Sequence, residues 1–204
     1  MENRSKLMAV TVLLAILLLS LFSSILAQEK AIKAELPVLV TSCGQSPGPV
    51  RLKVFLKRLK FDHEYNLMAT ADDLIAKKKE GKPFKSLIIV TGASLKGMGA
   101  AGVSVEDELD RTKELIAEAK KQGIMIIGAH VEGMERRAQG AAEGDNSDEL
   151  SIDTVCPVSA LMIIRKDGDE DGRFTAISKD KDIPMLVFVK NMEIPEVLKK
   201  LYQK

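Results

Sequence analysis

The feature that most limits what this chain can fold into is an alternation of short apolar runs with amphipathic helical stretches. PVLVT (37–41), SLIIVT (86–91), IMIIGA (124–129), SALMIIR (159–165) and PMLVFV (184–189) are of strand length and almost unbroken by polar residues. A strand that is apolar on both faces is buried on both, as in a parallel sheet covered by helices. EYNLMA (64–69) reads as a further strand, second in order. Between these runs lie helical patterns. Leu52, Phe55, Leu56 and Leu59 recur at i, i+3, i+4 and i+7. Thr70 with Asp73, and Ser104 with Asp107, have the spacing of capping boxes. Val105, Leu109, Thr112, Ile116 and Ala119 form one stripe that Gly123 stops, and further helices are expected after Asn146 and near Pro195. Right-handed crossovers then predict an α/β fold: a doubly wound, mostly parallel six-stranded sheet in a three-layer α/β/α sandwich, flavodoxin-like or Rossmann-like in strand order.

One segment stands outside this pattern. MENRSK is basic on balance, and LMAVTVLLAILLLSLFSSILA follows it without a charge. Residues 1–27 therefore read as a signal peptide ending at Ala27 or as an uncleaved N-terminal membrane anchor, and both place the body of the protein outside the cytoplasm. Residues 34–204 are expected to form a single α/β domain. Without Glu2, Arg4 and Lys6 the remainder carries 28 basic and 28 acidic residues. That balance gives no reason to expect nucleic acid as a partner, and it leaves the membrane only through an uncleaved N-terminal segment. Tryptophan is absent and aromatics make up 4% of the chain, too few for stacking platforms.

In a doubly wound sheet, ligands meet the loops at the carboxyl ends of the strands. Here those loops are TSCGQSPG, TGASLKGMGAAG, HVEGMERR and RKDGDEDG. Cys43 lies at this rim, and Cys156 precedes strand 5 at the other end. A disulfide needs Cα atoms within about 7 Å, so no bridge is expected.

GQSPG has the G-x-S-x-G spacing of a nucleophile elbow, with His130 as a conceivable base oriented by Asp145 or Asp148. Pro47, however, follows Ser46 and has no N–H to donate to an oxyanion. Cys43 is a second nucleophile candidate, because a helix N-terminus lowers a thiol pKa, although a tight turn also suits a small buried cysteine. The favoured reading is an anion cradle. Ser42, Gln45 and Ser46 surround a helix N-terminus, where free N–H groups favour a carboxylate or phosphate. Lys96, in a glycine loop expected to be flexible, and Arg136 and Arg137, after strand 4, would add positive charge. The glycine loop fails as a nicotinamide site: its spacing is wrong, it follows the third strand, and no Tyr-x-x-x-Lys pair exists. Asp167, Asp169 and Asp171 open like a calcium loop, but position 12 is Ser178 instead of glutamate. No zinc ligand set is present, and no cofactor is called for.

VTSCGQSPG, the HVEG…RR loop, and DNSDEL…DTVCPVSALMII followed by DG-x-F together resemble an uncharacterised family of exported bacterial proteins, a domain of unknown function, over residues 37–203. The resemblance implies the same fold and bacterial export, and it supplies no catalytic residues. The expected function is therefore binding of a small anionic ligand at the carboxyl rim. A hydrolase using Ser46 or Cys43 with His130 and a membrane-tethered interaction module are the alternatives.

Overall fold

In the computed structural model, residues 33–138 and 146–203 are described; the apolar N-terminal segment and Asp145 lie outside them. Six parallel strands form one sheet in the order β2-β1-β3-β4-β5-β6. This is the flavodoxin-like alternative. The strands are β1 (Val38–Cys43), β2 (His63–Tyr65), β3 (Ser86–Thr91), β4 (Met125–His130), β5 (Leu161–Arg165) and β6 (Met185–Phe188). Seven α-helices accompany them among the described residues: α1 (Gly48–Arg58), α2 (Ala71–Lys79), α3 (Leu95–Ala101), α4 (Val105–Gln122), α5 (Ser147–Val155), α6 (Arg173–Lys181) and α7 (Ile194–Tyr202).

The unbroken apolar runs are buried as their composition requires: every residue of β1 and β3 is inaccessible or nearly so. Alternate residues serve two cores. Val38, Val40, Ile88, Val90, Ile127 and Ala129 pack on Leu52, Phe55 and Leu56 of α1 and on Leu198 and Leu201 of α7. On the other face Leu39, Leu87, Ile89 and Ile126 meet Leu74 of α2, Leu115, Ile116 and Ala119 of α4, and Val155 of α5. A satellite core under α6 holds Ile152, Met162, Ile164 and Phe174. Both expected capping boxes form, at Thr70–Asp73 and Ser104–Asp107, and Asn146 caps α5.

Two local expectations fail. The second strand spans only His63–Tyr65; Asn66 then turns the chain, accepting the Met68 N–H on its side chain and the Ala69 N–H on its backbone carbonyl. TGASLKGMGAAG is no loose loop either, since Ser94 caps α3 by accepting the Gly97 N–H at 3.0 Å. Gly97 is there for close approach, because a Cβ would strike the carbonyl of Gln45. Both cysteines are free and buried.

Candidate functional site

With β1 leading outward to β2 and β3 leading the other way to β4, the topological switch point lies between the carboxyl ends of β1 and β3. This crevice is the usual ligand position, and here the chain fills it. Gly44 (φ 108°) and Gln45 (φ 55°) turn the chain across to β3, where Gln45 and Ala93 form an antiparallel bridge. The Ser94 N–H donates to the Gly44 carbonyl at 2.7 Å. A Cβ on Gly44 would lie 2.5 Å from the Gly92 carbonyl oxygen, so only glycine permits the closure.

The rim amides that sequence reasoning offered to an anion are taken by the protein's own carboxylates. Glu108 of α4 is buried. Its Oε1 accepts the Gly44 N–H at 2.8 Å and the Gln45 Nε2 at 2.9 Å, while Arg111 balances it from Nε at 3.0 Å. Glu132, also buried, accepts the Gly48 N–H at the start of α1 at 3.1 Å. Asp148 of α5 accepts the Ala93 N–H at 2.6 Å. Burial raises the Asp148 pKa, outweighing that hydrogen bond. Gln45 therefore points inward, with its second Nε2 contact on the Leu67 carbonyl. Ser42 is buried, and its Oγ has no hydrogen-bond partner among the described residues. Ser46 is buried with its Oγ 3.4 Å from the Gly48 N–H. Lys96 stands exposed on the first turn of α3.

The hydrolase residues are not brought together. His130 is fully buried and stacks on Phe174 at 5.0 Å. Its Nδ1 lies 3.1 Å from the Thr91 hydroxyl and its Nε2 2.9 Å from the Gly133 carbonyl, so neither ring nitrogen faces Ser46. Burial lowers its pKa and keeps the ring neutral at pH 7. Cys43 is no activated thiol, since burial pushes it up to about 12. The helix-terminus argument fails for it because Cys43 ends β1 facing α4, away from the start of α1.

Arg137 also departs from expectation. It points into the protein, donating to Glu149 at 2.8 Å, to Asp171 at 2.6 Å and to the Gly168 carbonyl, with its guanidinium over the Phe174 ring. It ties the loop after β4 to α5 and to the β5–α6 turn. The aspartates of the calcium-like loop diverge to separate partners. Asp167 faces Arg165, Asp171 pairs with Arg137, and Asp169 caps α6 by accepting the Phe174 N–H at 2.7 Å.

What remains at the lip is a set of arginines around the Val131–Glu132 segment that follows β4. Arg51 of α1 donates from Nη1 to the Val131 carbonyl at 2.7 Å. Arg165, ending β5, reaches the Glu132 carbonyl at 3.4 Å. Arg136 donates to the Ala93 carbonyl at 2.8 Å and sets its Nε 3.6 Å from Glu132. The Nε atoms of Arg136 and Arg165 are buried without an aligned acceptor. Sequence reasoning named only Arg136 of these three. Arg51 lies within an amphipathic helix and Arg165 at a strand end, so neither belongs to a motif. Glu108 was detectable in principle, as a carboxylate placed on the apolar side of the helix between Val105 and Thr112.

No curated protein matches the chain in sequence. Among solved structures it is similar to a psychrotrophic esterase from Pseudoalteromonas sp. inhibited by monoethylphosphonate: 12% identity, TM-score 0.33, covering 74% of this chain and 76% of that one. It is also similar to a GDSL-like lipase from Bacteroides thetaiotaomicron VPI-5482, at 14% identity and TM-score 0.34, covering 82% and 75%. A mutant of esterase AlinE4 gives 11% identity and TM-score 0.30, covering 76% and 75%. These likenesses concern the α/β fold and carry no argument about activity. The family comparison goes further: the model for DUF6305, a domain of unknown function, matches residues 35–202, nearly the whole described chain, and the protein belongs to that family.

Proposed function

We propose that this protein is an exported bacterial α/β domain that binds a small molecule through an anionic group at the carboxyl rim of its sheet. The contacts come from Arg51, Arg136 and Arg165. The carrying observation is the convergence of three half-buried guanidinium groups on the two-residue segment Val131–Glu132. A guanidinium has five N–H donors in a fixed fork, and the bonds described occupy only part of each. The remaining donors suit bidentate recognition of a carboxylate or phosphate. Glu132 stands 3.6 Å from the Arg136 Nε and Asp167 2.9 Å from the Arg165 Nε, so an incoming anion shares these two guanidinium groups with resident carboxylates, while Arg51 forms no ion pair among the described residues. Ser42, Gln45, Ser46 and Arg137 shape this lip from below and do not touch the ligand. Residues 1–27 deliver the domain across the membrane as a signal or hold it there as an anchor.

The test is calorimetry and thermal denaturation of the purified full chain with inorganic phosphate and with malonate. An anion at 100 times its Kd adds roughly 2.7 kcal/mol of stability. Arg136→Ala and Arg165→Ala should each remove that gain, measured against each variant's own ligand-free stability, which falls because both arginines pair with carboxylates. A protein that neither anion stabilises, or a gain that survives both substitutions, overturns the reading. Mass spectrometry of the mature N-terminus tests export: a start at Gln28 marks a cleaved signal, an intact Met1 in the membrane fraction an anchor, and an intact Met1 in soluble cytoplasm refutes both.

A further inference from the structure

The far edge of the sheet is unlike the rest of the surface. β6 reads Met185-Leu186-Val187-Phe188, four apolar residues in succession, and among the described residues it pairs only with β5. The hydrogen-bond phase of that pairing determines which backbone groups face outward. The Met162 N–H donates to the Pro184 carbonyl, so in a parallel ladder residues 184, 186 and 188 face β5. Met185, Val187 and Val189 therefore turn their backbone groups to the open side. One of these is capped: the Val189 N–H donates to Glu193 at 2.9 Å. The N–H and C=O groups of Met185 and Val187 have no partner among the described residues.

The side chains beside this edge are open too. Val187 in the strand and Val189 just after it are 52% and 54% exposed, high for valine. Val187 borders two grooves, one on each face. The first, about 480 Å³, has Ile164, Val187 and Val189 as its apolar floor. The second, about 330 Å³, runs between β6 and the outer side of α7, where Glu196 and Lys200 stand one turn apart. Edge strands normally carry a charge, a proline or a bulge that discourages pairing, and β6 has none of these between Met185 and Phe188.

We propose that β6 is a homodimer interface, in which two copies pair their β6 edges antiparallel about a two-fold axis at Leu186 and continue the sheet through both molecules. In this register Met185 of one copy lies opposite Val187 of the other, and each such pair exchanges two N–H···O=C bonds. The four outward donors and acceptors of each copy are then all satisfied. The Glu193 cap on Val189 fixes the register, because centring on Val187 instead would require that cap to open. Directly opposed residues share a face, so Met185 covers its partner's Val187 in the larger groove. A two-fold axis also sets α7 antiparallel beside its copy, which brings each Glu196 towards the other Lys200. An isologous patch must be complementary to itself, and this one is so in hydrogen bonds, apolar contacts and charge.

Sedimentation velocity of the full chain in mild detergent, across a dilution series, tests this together with hydrogen exchange of the β6 amides. The expected result is a reversible dimer whose 185–187 segment exchanges slowly when concentrated and rapidly when dilute. Val187→Lys should raise the dissociation constant at least about tenfold, with the melting temperature of the dilute, monomeric protein unchanged. Lys200→Glu should weaken the dimer, and Glu196→Lys in the same chain should restore it. A monomer at every concentration overturns the proposal, as does a dimer that Val187→Lys leaves intact or a 185–187 segment whose exchange ignores concentration.

Discussion

Replacing Arg137 with alanine gives the sharpest test of how the rim is held together. The side chain is 1% exposed, and its partners come from three different segments: Glu149 of α5, Asp171 of the β5–α6 turn and the Gly168 carbonyl. Removing it leaves Glu149, whose side chain is 8% exposed, with Arg173 and the Ala138 N–H as its partners among the described residues. Breaking a buried pair by deleting one partner costs about 3–5 kcal/mol, and the surviving Arg173 contact argues for the lower end. At about 3 kcal/mol, a domain of this size should melt roughly 6–12 °C lower. Acid supplies a second signature. Burial alone would raise the Glu149 carboxyl, but Arg137, the Ala138 N–H and Arg173 together outweigh it and the pKa is lowered; the Arg137 hydrogen bond likewise lowers Asp171. Depressed carboxylates stabilise the fold above their unfolded pKa values, and the contribution is lost as pH falls through the folded ones. The gap between wild type and Arg137→Ala, read from urea unfolding, should thus be widest at pH 7 and narrow on acidification from about pH 4 downward. A gap below about 1 kcal/mol at pH 7, or one that does not change with pH, would refute the reasoning.

Other outcomes follow from the same geometry. Gly44→Ala should destabilise by about 2 kcal/mol or more in urea unfolding, because it demands both a positive φ and space that the Gly92 carbonyl occupies. Iodoacetamide at pH 8 should leave Cys43 and Cys156 unlabelled in the native protein and modify both in urea, since burial raises both thiols; rapid native labelling would contradict their placement. A fluorophosphonate probe should not label Ser46, whose neighbourhood holds no free imidazole. His130 stays neutral in the fold yet takes up a proton once unfolded, so stability should fall as pH drops below about 6.5, and His130→Gln should remove that part of the slope.

The unbroken apolar runs made the parallel sheet readable in advance, because burial on both faces leaves no polar alternation to mislead. Ser104, Thr70 and Asn146 announced their helices for an equally local reason: a capping side chain bonds within three residues of itself. The site was far less legible. Arg136 and Arg137 are adjacent and chemically identical in sequence, yet Arg136 is 28% exposed at the lip and Arg137 is buried. The positions of α5, which carries Glu149, and of the β5–α6 turn, which carries Gly168 and Asp171, separate their fates. Gly97 looked like a source of mobility and proved to be a point of contact with Gln45, a distinction set by a residue 52 positions away. Glu132 was visible only as one charge in a polar stretch, and its partner at Gly48 lies 84 residues upstream.

The carboxylate of Glu132 at the first turn of α1 has a consequence for the anion binding proposed above. It is a competitor that never diffuses away, present at an effective concentration of millimolar or more. A monovalent anion seeking those amides would have to evict it, and weak solutes would be turned aside. On the proposed reading, selectivity would then fall to molecules large enough to grip the surrounding guanidinium groups while leaving that resident occupant in its seat.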